Sequence, residues 1–226
     1  MNDVLDVLDR VGNAAPFENL RSPVELGLFL GALAFLSLAL VMVTSFTRTV
    51  IVLSFVRRAL TTQEIPPTPV LIGFALFLTW FVMAPVFDQI ARDALLPYLD
   101  GEIAARQAIE RGAVPLKRFM LHQTRKQDIA LFLEIADVPN PSEPMQTPMR
   151  VLIPAFVVSE LKTAFLMGFM IYLPFLVVDL VVSSVLMSLG MLMLPPVIVS
   201  TPFKILLFVL ADGWYLVARS LTLSFG

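Results

Sequence analysis

The chain has 226 residues, 58% of them hydrophobic and only 15% charged, with a formal net charge of −2 and a mean hydropathy of +0.84. A soluble domain carries about 25% charged residues, so too little polar surface remains to wrap this apolar content in water, and the composition describes an integral membrane protein rather than a soluble enzyme. The charge balance gives no basic excess for nucleic acid, and the absence of cysteine excludes disulfides and thiol chemistry.

Residues 1–24 lack the basic start, apolar run and small-residue cleavage site of a secretory signal. Their first charges are Asp3, Asp6 and Asp9, and they read as a loose or amphipathic lead-in. Residues 25–91 read as a first helical hairpin. Its opening uncharged run, between Glu25 and Arg48, is 22 residues long, enough for one bilayer crossing. Gly27 and Gly31 in that run have the spacing that lets helix backbones approach closely, which also arises by chance in so Gly-rich and Ala-rich a stretch. A second apolar stretch follows, bearing Arg48, Arg57 and Arg58. Pro66, Pro67 and Pro69 then forbid a continuing helix, and the next helix is expected from near Val70, with Pro85 kinking or ending it.

Residues 92–150 hold almost half of the charged residues, in both signs, and a Pro-rich piece from Val138 to Pro144. They read as a water-exposed or protein-covered segment of short helices. Leu116, Phe119 and Met120 fit one helical face, and Ile129, Phe132, Leu133 and Ala136 another. The polar stretch His122–Asp128 between them predicts a helical hairpin or a kink.

Residues 151–226 read as C-terminal helical hairpins. Their only acids and bases, tyrosines aside, are Glu160, Lys162, Asp179, Lys204, Asp212 and Arg219. Gly190 and Pro195-Pro196 break the 24-residue uncharged run 180–203 into two helices around a turn rich in methionine. Folding the chain back at Met191–Leu192 brings Asp179 and Lys204 to the same depth, each about 18 Å along a helix from the tip. An ion relay and a structural pair that fixes helix register are both open readings, and the cost of burying single charges favours the structural one. Glu160 and Lys162 are two apart, so they point to different helix faces and each is expected to meet another element. Snorkelling is the alternative for Lys162. Met187, Met191 and Met193 suit ordinary irregular packing or a flexible ring.

Catalysis finds no support in the sequence. Asp179 and Asp212 lack the flanking motifs of intramembrane aspartyl proteases. His122 is the only histidine, so a metal site lacks ligands, and there is no nucleophile-elbow or phosphate-loop motif.

Several phrases taken together carry a resemblance. They are Thr44-Ser45-Phe46-Thr47-Arg48 opening VIVLSFVRRAL, Pro66-Pro67 ahead of GFALFLT, and Met83-Ala84-Pro85-Val86. FMLHQTRKQD, Pro154-Ala155-Phe156 and SELKTAF follow, then LPFLVVDLVVSSVLMSLGMLMLPP and PFKILLFVLADGW. In this order they resemble the FliP family of type III secretion export-gate subunits over roughly residues 25–226. Thr47-Arg48 and FMLHQTRKQDIALF resemble its flagellar branch more than its virulence-secretion branch.

The resemblance implies an all-α membrane protein that works without a cofactor. Its apolar hairpins would assemble, with copies of the chain, into a helically staggered pentameric ring in the bacterial inner membrane, with residues 92–150 as a small helical periplasmic segment. FliQ and FliR would complete a pore for unfolded flagellar proteins, and FlhB and FlhA the wider gate. The resemblance also implies that much of the apolar helix packs against other subunits, so that the number of bilayer crossings is nominal. It places a methionine gasket at Met191, Leu192 and Met193, where Leu192 departs from the usual third methionine. It places an intramembrane acid and base at Asp179 and Lys204, and periplasmic assembly aromatics at Phe119 and Phe132. Many members carry a cleaved signal peptide, which the lead-in does not resemble. The rival from another class is an ion-coupled transporter binding its ion at Asp179 and Lys204, for which internal repeats are expected and none is evident. A scaffold lining no pore is the third reading.

Overall fold

The computed structural model describes residues 41–62, 65–191 and 193–226, together with Gly27, Leu30, Gly31 and Ala34. Every regular element among them is helical. Helix α1 spans Phe46–Ala59. Helix α2, Thr68–Ile90, runs through a π-helical turn at Ala91–Leu95 into the short α3, Leu96–Leu99. Helices α4 (Ala105–Gln123) and α5 (Lys126–Ile135) are joined by a two-residue link into an open hairpin whose two helices make little contact with each other, followed by a 3-10 turn at Pro144–Gln146. Helix α6 spans Met149–Ser188, α7 Pro196–Leu210 and α8 Gly213–Leu223.

The uncharged run expected to cross first lies mostly outside the described residues. Gly27 and Gly31 are helical and exposed, and nothing lies within 4 Å of a Cβ built on either. Pro67 precedes α2 with extended backbone and Pro69 sits in its first turn, where a missing N–H removes no ladder bond. The helix therefore begins at Thr68, two residues before the expected start. It also continues past Pro85 to Ile90. One lost ladder bond does not end a helix held along its length by buried Leu71, Ala75 and Met83.

The polar stretch after Gln123 makes a corner. Thr124 and Arg125 are both extended, and the Thr124 hydroxyl turns back to donate to the Met120 carbonyl at 2.6 Å. Helix α6 runs unbroken for 40 residues through Pro154, Pro174, Glu160 and Asp179. Its length is about 60 Å at the ordinary helical rise, roughly twice the hydrocarbon thickness of a bilayer, so part of it lies outside the lipid core wherever it crosses. Among the described residues two helical stretches, Thr68–Leu99 and Met149–Ser188, are long and apolar enough to cross a membrane. The pair α7–α8 makes a third if its 63° bend is part of one span.

Helix α6 is the spine, with α1, α4, α5 and α7 packed along it. Val52, Leu53 and Val56 of α1 are fully buried and meet Ala164 and Phe175 of α6, Phe208 of α7, and Val217 and Leu221 of α8. Two glycines allow the closest approaches. A Cβ on Gly213 would lie 2.3 Å from the Phe208 ring, at the bend where Asp212 is left-handed (φ 49°). A Cβ on Gly168 would lie 2.5 Å from the ring of Phe55 on α1.

Gly168→Ala sets two effects against each other. Alanine gains about 1 kcal/mol of helix propensity, while forcing α1 from α6 costs about 1–3 kcal/mol. Thermal melting of the detergent-solubilised chain is expected to fall for Gly168→Ala alone. In a Phe55→Ala background the same change should raise it, because only the propensity gain remains. A fall of equal size in both backgrounds would show that the Phe55 contact does not set the helix spacing.

Candidate functional site

Two charge centres lie along α6. The first is at Glu160, which is fully buried. Arg48, 2% exposed, reaches it from α1: Nε donates to Glu160 Oε2 at 2.8 Å and Nη2 donates to Oε1. This two-pronged match of a planar fork to a carboxylate is the strongest form of side-chain ion pair. The remaining donors are also used. Nη2 donates to Gln123 Oε1 at the end of α4 (3.0 Å), and Nη1 donates to the Ser224 carbonyl (2.8 Å) and hydroxyl (3.0 Å) just after α8. The Phe225 ring covers the guanidinium, with Cζ 3.8 Å from the ring centroid. Beside it, the buried Ser159 hydroxyl accepts from the Arg125 backbone N–H (3.1 Å) and donates to the Gln123 carbonyl (3.3 Å), fixing the α4–α5 corner on α6.

The second centre is nearer the far end. Lys204 Nζ donates to Asp179 Oδ2 at 2.6 Å, and the Ser200 hydroxyl donates to Oδ1 at 2.6 Å. Ser200 and Lys204 are one helical turn apart on α7 and both fully buried, whereas Asp179 is 26% exposed. Both carboxylate oxygens are therefore held from one face of α7, which fixes its register against α6. The Thr61 and Thr201 hydroxyls meet at 2.8 Å, tying the same stretch of α7 to the end of α1.

Beyond this clamp, α6 and α7 form an arm. Leu180, Val181, Val185 and Met187 are all more than half exposed. The arm closes with a glycine turn: Gly190 has φ +72°, its N–H bonds the Met187 carbonyl, and the Met191 N–H bonds the Leu186 carbonyl. This is the double bond pattern that ends helices at a left-handed residue. Pro195 and Pro196 then open α7. At the tip Met193 is 96% exposed and Met191 44%, while Leu192 lies outside the described residues. A 490 Å³ groove lined by Val177, Val181, Val185, Val199 and Phe203 runs between the two helices.

The sequence singled out Glu160 and Lys162 as buried charges. Glu160 is enclosed; Lys162 is exposed on the opposite side of α6, because two residues turn a helix by more than half a circle. Phe119 is half-buried and packs within the chain, 6.0 Å from the Phe156 ring and stacked on Phe225 at 6.2 Å. Phe132 is half-buried on α5. Sequence reading passed over the role of Arg48. The available signal was charge accounting, since Arg48 and Glu160 each sit in an apolar stretch without a local partner. No turn relates them, so no register argument joined them. Among the described residues no three His, Cys, Asp or Glu are grouped to hold a metal ion.

A helical chain with two apolar stretches of spanning length, ion-paired charges in its interior and an exposed apolar arm is an all-helical membrane protein. It matches the FliP family over residues 29–221. It is 50% identical to the flagellar biosynthetic protein FliP of Bacillus subtilis (strain 168), with 100% of each chain covered. It is 54% identical to that of Pectobacterium carotovorum subsp. carotovorum, covering 89% of this chain and 78% of the relative. With that of Aquifex aeolicus (strain VF5) the identity is 50%, over 92% and 87%. The chain belongs to the FliP family, whose members act in flagellar biosynthesis as components of type III export.

Two outcomes follow from the charge geometry. Glu160→Ala leaves the Arg48 guanidinium buried without its counter-ion, and is expected to cost about 3–5 kcal/mol. The double variant Arg48→Met with Glu160→Met should lose less than either single change in thermal melting; additive losses would show that the two charges do not act as a unit. At the second centre, Asp179→Ala strands a fully buried Lys204, whereas Lys204→Arg keeps a cation there. Oligomer recovered from membranes is expected to fall further for Asp179→Ala, and equal recovery would remove the pairing from the argument.

Proposed function

We propose that the chain is a ring-forming subunit of the flagellar export gate in the bacterial inner membrane. Five copies stagger helically with FliQ and FliR around a pore for unfolded flagellar subunits, and FlhB and FlhA complete the gate. The α6–α7 hairpin points its tip into the pore, where Met191, Leu192 and Met193 meet their copies as the gasket. The α4–α5 hairpin lies on the periplasmic side, with Phe132 facing a neighbouring subunit and Phe119 backing that contact from within the chain. Asp179 and Lys204 are structural here, holding the arm in register.

The exposed apolar arm carries this reading. Among the described residues nothing covers Met193, Leu189, Val197 or Ile198, each at least half exposed, so copies of the same surface are the natural cover in a ring. Apolar rings stop ions by dewetting. Thioether side chains also part around varied polypeptides without offering a strong hydrogen bond. The glycine turn sets the backbone entering the tip and the two prolines the start of α7 leaving it.

Replacing Met191 and Met193 together by alanine should widen the constriction. Membrane conductance is expected to rise several-fold during export while secreted flagellin stays near the parental level. Both are read in the same cells. A tight membrane with normal secretion would show that the turn is packing and not a gasket.

A further inference from the structure

The residues after α8 complete the first charge centre. Arg48 has a carboxylate on one edge of its guanidinium. Without Ser224 its Nη1 would be a buried charged donor with no acceptor, which is costly in a site this dry. The Ser224 carbonyl and hydroxyl fill that position from 176 residues away in sequence. Phe225, 9% exposed, then lies over the cation and stacks on Phe119 of α4. Gln123 closes the circuit: its Oε1 accepts from Arg48, and its Nε2 donates to the Phe225 carbonyl at 3.0 Å. The Gln123 main chain in turn is held by Ser159 at the α4–α5 corner.

We propose that Ser224–Phe225 is a strap that fastens the α4–α5 hairpin to the membrane helices through Arg48. Two properties set it apart from ordinary core. The strap, the end of α4 and the α1–α6 pair all meet at one guanidinium, and the Gln123 Nε2 bond to the Phe225 carbonyl adds a direct link between the strap and α4. Ser224 and Phe225 also follow α8 in sequence, so the strap forms only once the segment after α8 has reached Arg48 on α1. Docking of the hairpin thereby reports that the membrane helices are in place. This holds whether or not the tip of the arm is a gasket.

The test is limited trypsin digestion of the full chain, purified in detergent with whatever partners accompany it. Arg125 and Lys126 at the α4–α5 corner serve as the reporter. Arg58, exposed at the opposite end of α1, serves as the reference for general loosening. Phe225→Ala is expected to speed cleavage at the corner by about tenfold and to leave the Arg58 rate unchanged. Gln123→Ala, which cuts the bridge while leaving the strap's ring in place, should expose the corner selectively as well. Unchanged corner cleavage in both variants would overturn the strap, and so would equal acceleration at Arg58, since Phe225 would then be core filling. Should Phe225→Ala not accumulate, Phe225→Leu decides: it fills the space but lacks the ring face, and a corner as resistant as the parent's would overturn the proposal.

Discussion

The pairing of Arg48 with Glu160 is the constraint on which the architecture rests. A carboxylate enclosed within a 40-residue apolar helix is untenable alone, and among the described residues Arg48 is the cation that reaches it. That requirement fixes α1 against α6 at one depth, and the surrounding contacts follow from it. Gly168, two turns further along α6, must be small because Phe55 is carried there by the same α1. The corner between α4 and α5 must lie where Gln123 can reach the guanidinium. The end of α8 must return to the same point. Four segments distant in sequence are thus located by the donors of a single side chain, and the apolar contacts of Val52, Leu53 and Val56 fill the space so defined. A lysine at position 48 would match the charge but not the geometry, since an ammonium lacks the planar fork that serves several acceptors at once.

The two charge centres divide the labour along α6. The Arg48–Glu160 centre is dry on all sides and joins elements that are far apart in the chain. The Asp179–Lys204 centre joins neighbours in sequence and is partly wet at the acid. The first therefore determines which helices meet, and the second determines how one hairpin is aligned.

Composition and periodicity revealed the helical class, and the fold-back at Met191–Leu192 revealed Asp179 and Lys204 because a turn converts sequence distance into depth. The hairpin within 92–150 was legible from the polar stretch between two apolar faces. What stayed hidden depends on non-local contacts. Arg48 meets Glu160 across 112 residues, and no local pattern encodes that meeting. Pro85 reads as a kink or an end, and the helix does not end there, because single-helix propensity counts the lost ladder bond but not the packing that compensates it. Lys162 is expected to meet another element or to snorkel, and within this chain it is exposed; an apolar helix in a membrane protein turns much of its surface outward, so apolar flanks in sequence say little about enclosure within one chain. Phe119 looked free for a partner because the ring that occupies it belongs to Phe225, more than a hundred residues later.

The unbroken length of α6 has a mechanical consequence. From Glu160 to the end of the helix at Ser188 is about 42 Å at the ordinary rise. A rigid rod anchored at Glu160 is a lever: a tilt of about 5° there, well within the scatter of helix packing angles, swings Ser188 sideways by about 4 Å. That displacement is comparable to the breadth of a side chain. An aperture bounded by such rods would change calibre by a side chain's width per rod with no unfolding, no rotamer change and no broken hydrogen bond along the helix. Sub-ångström adjustments around Arg48 would therefore be read at the far end as whole-residue movements.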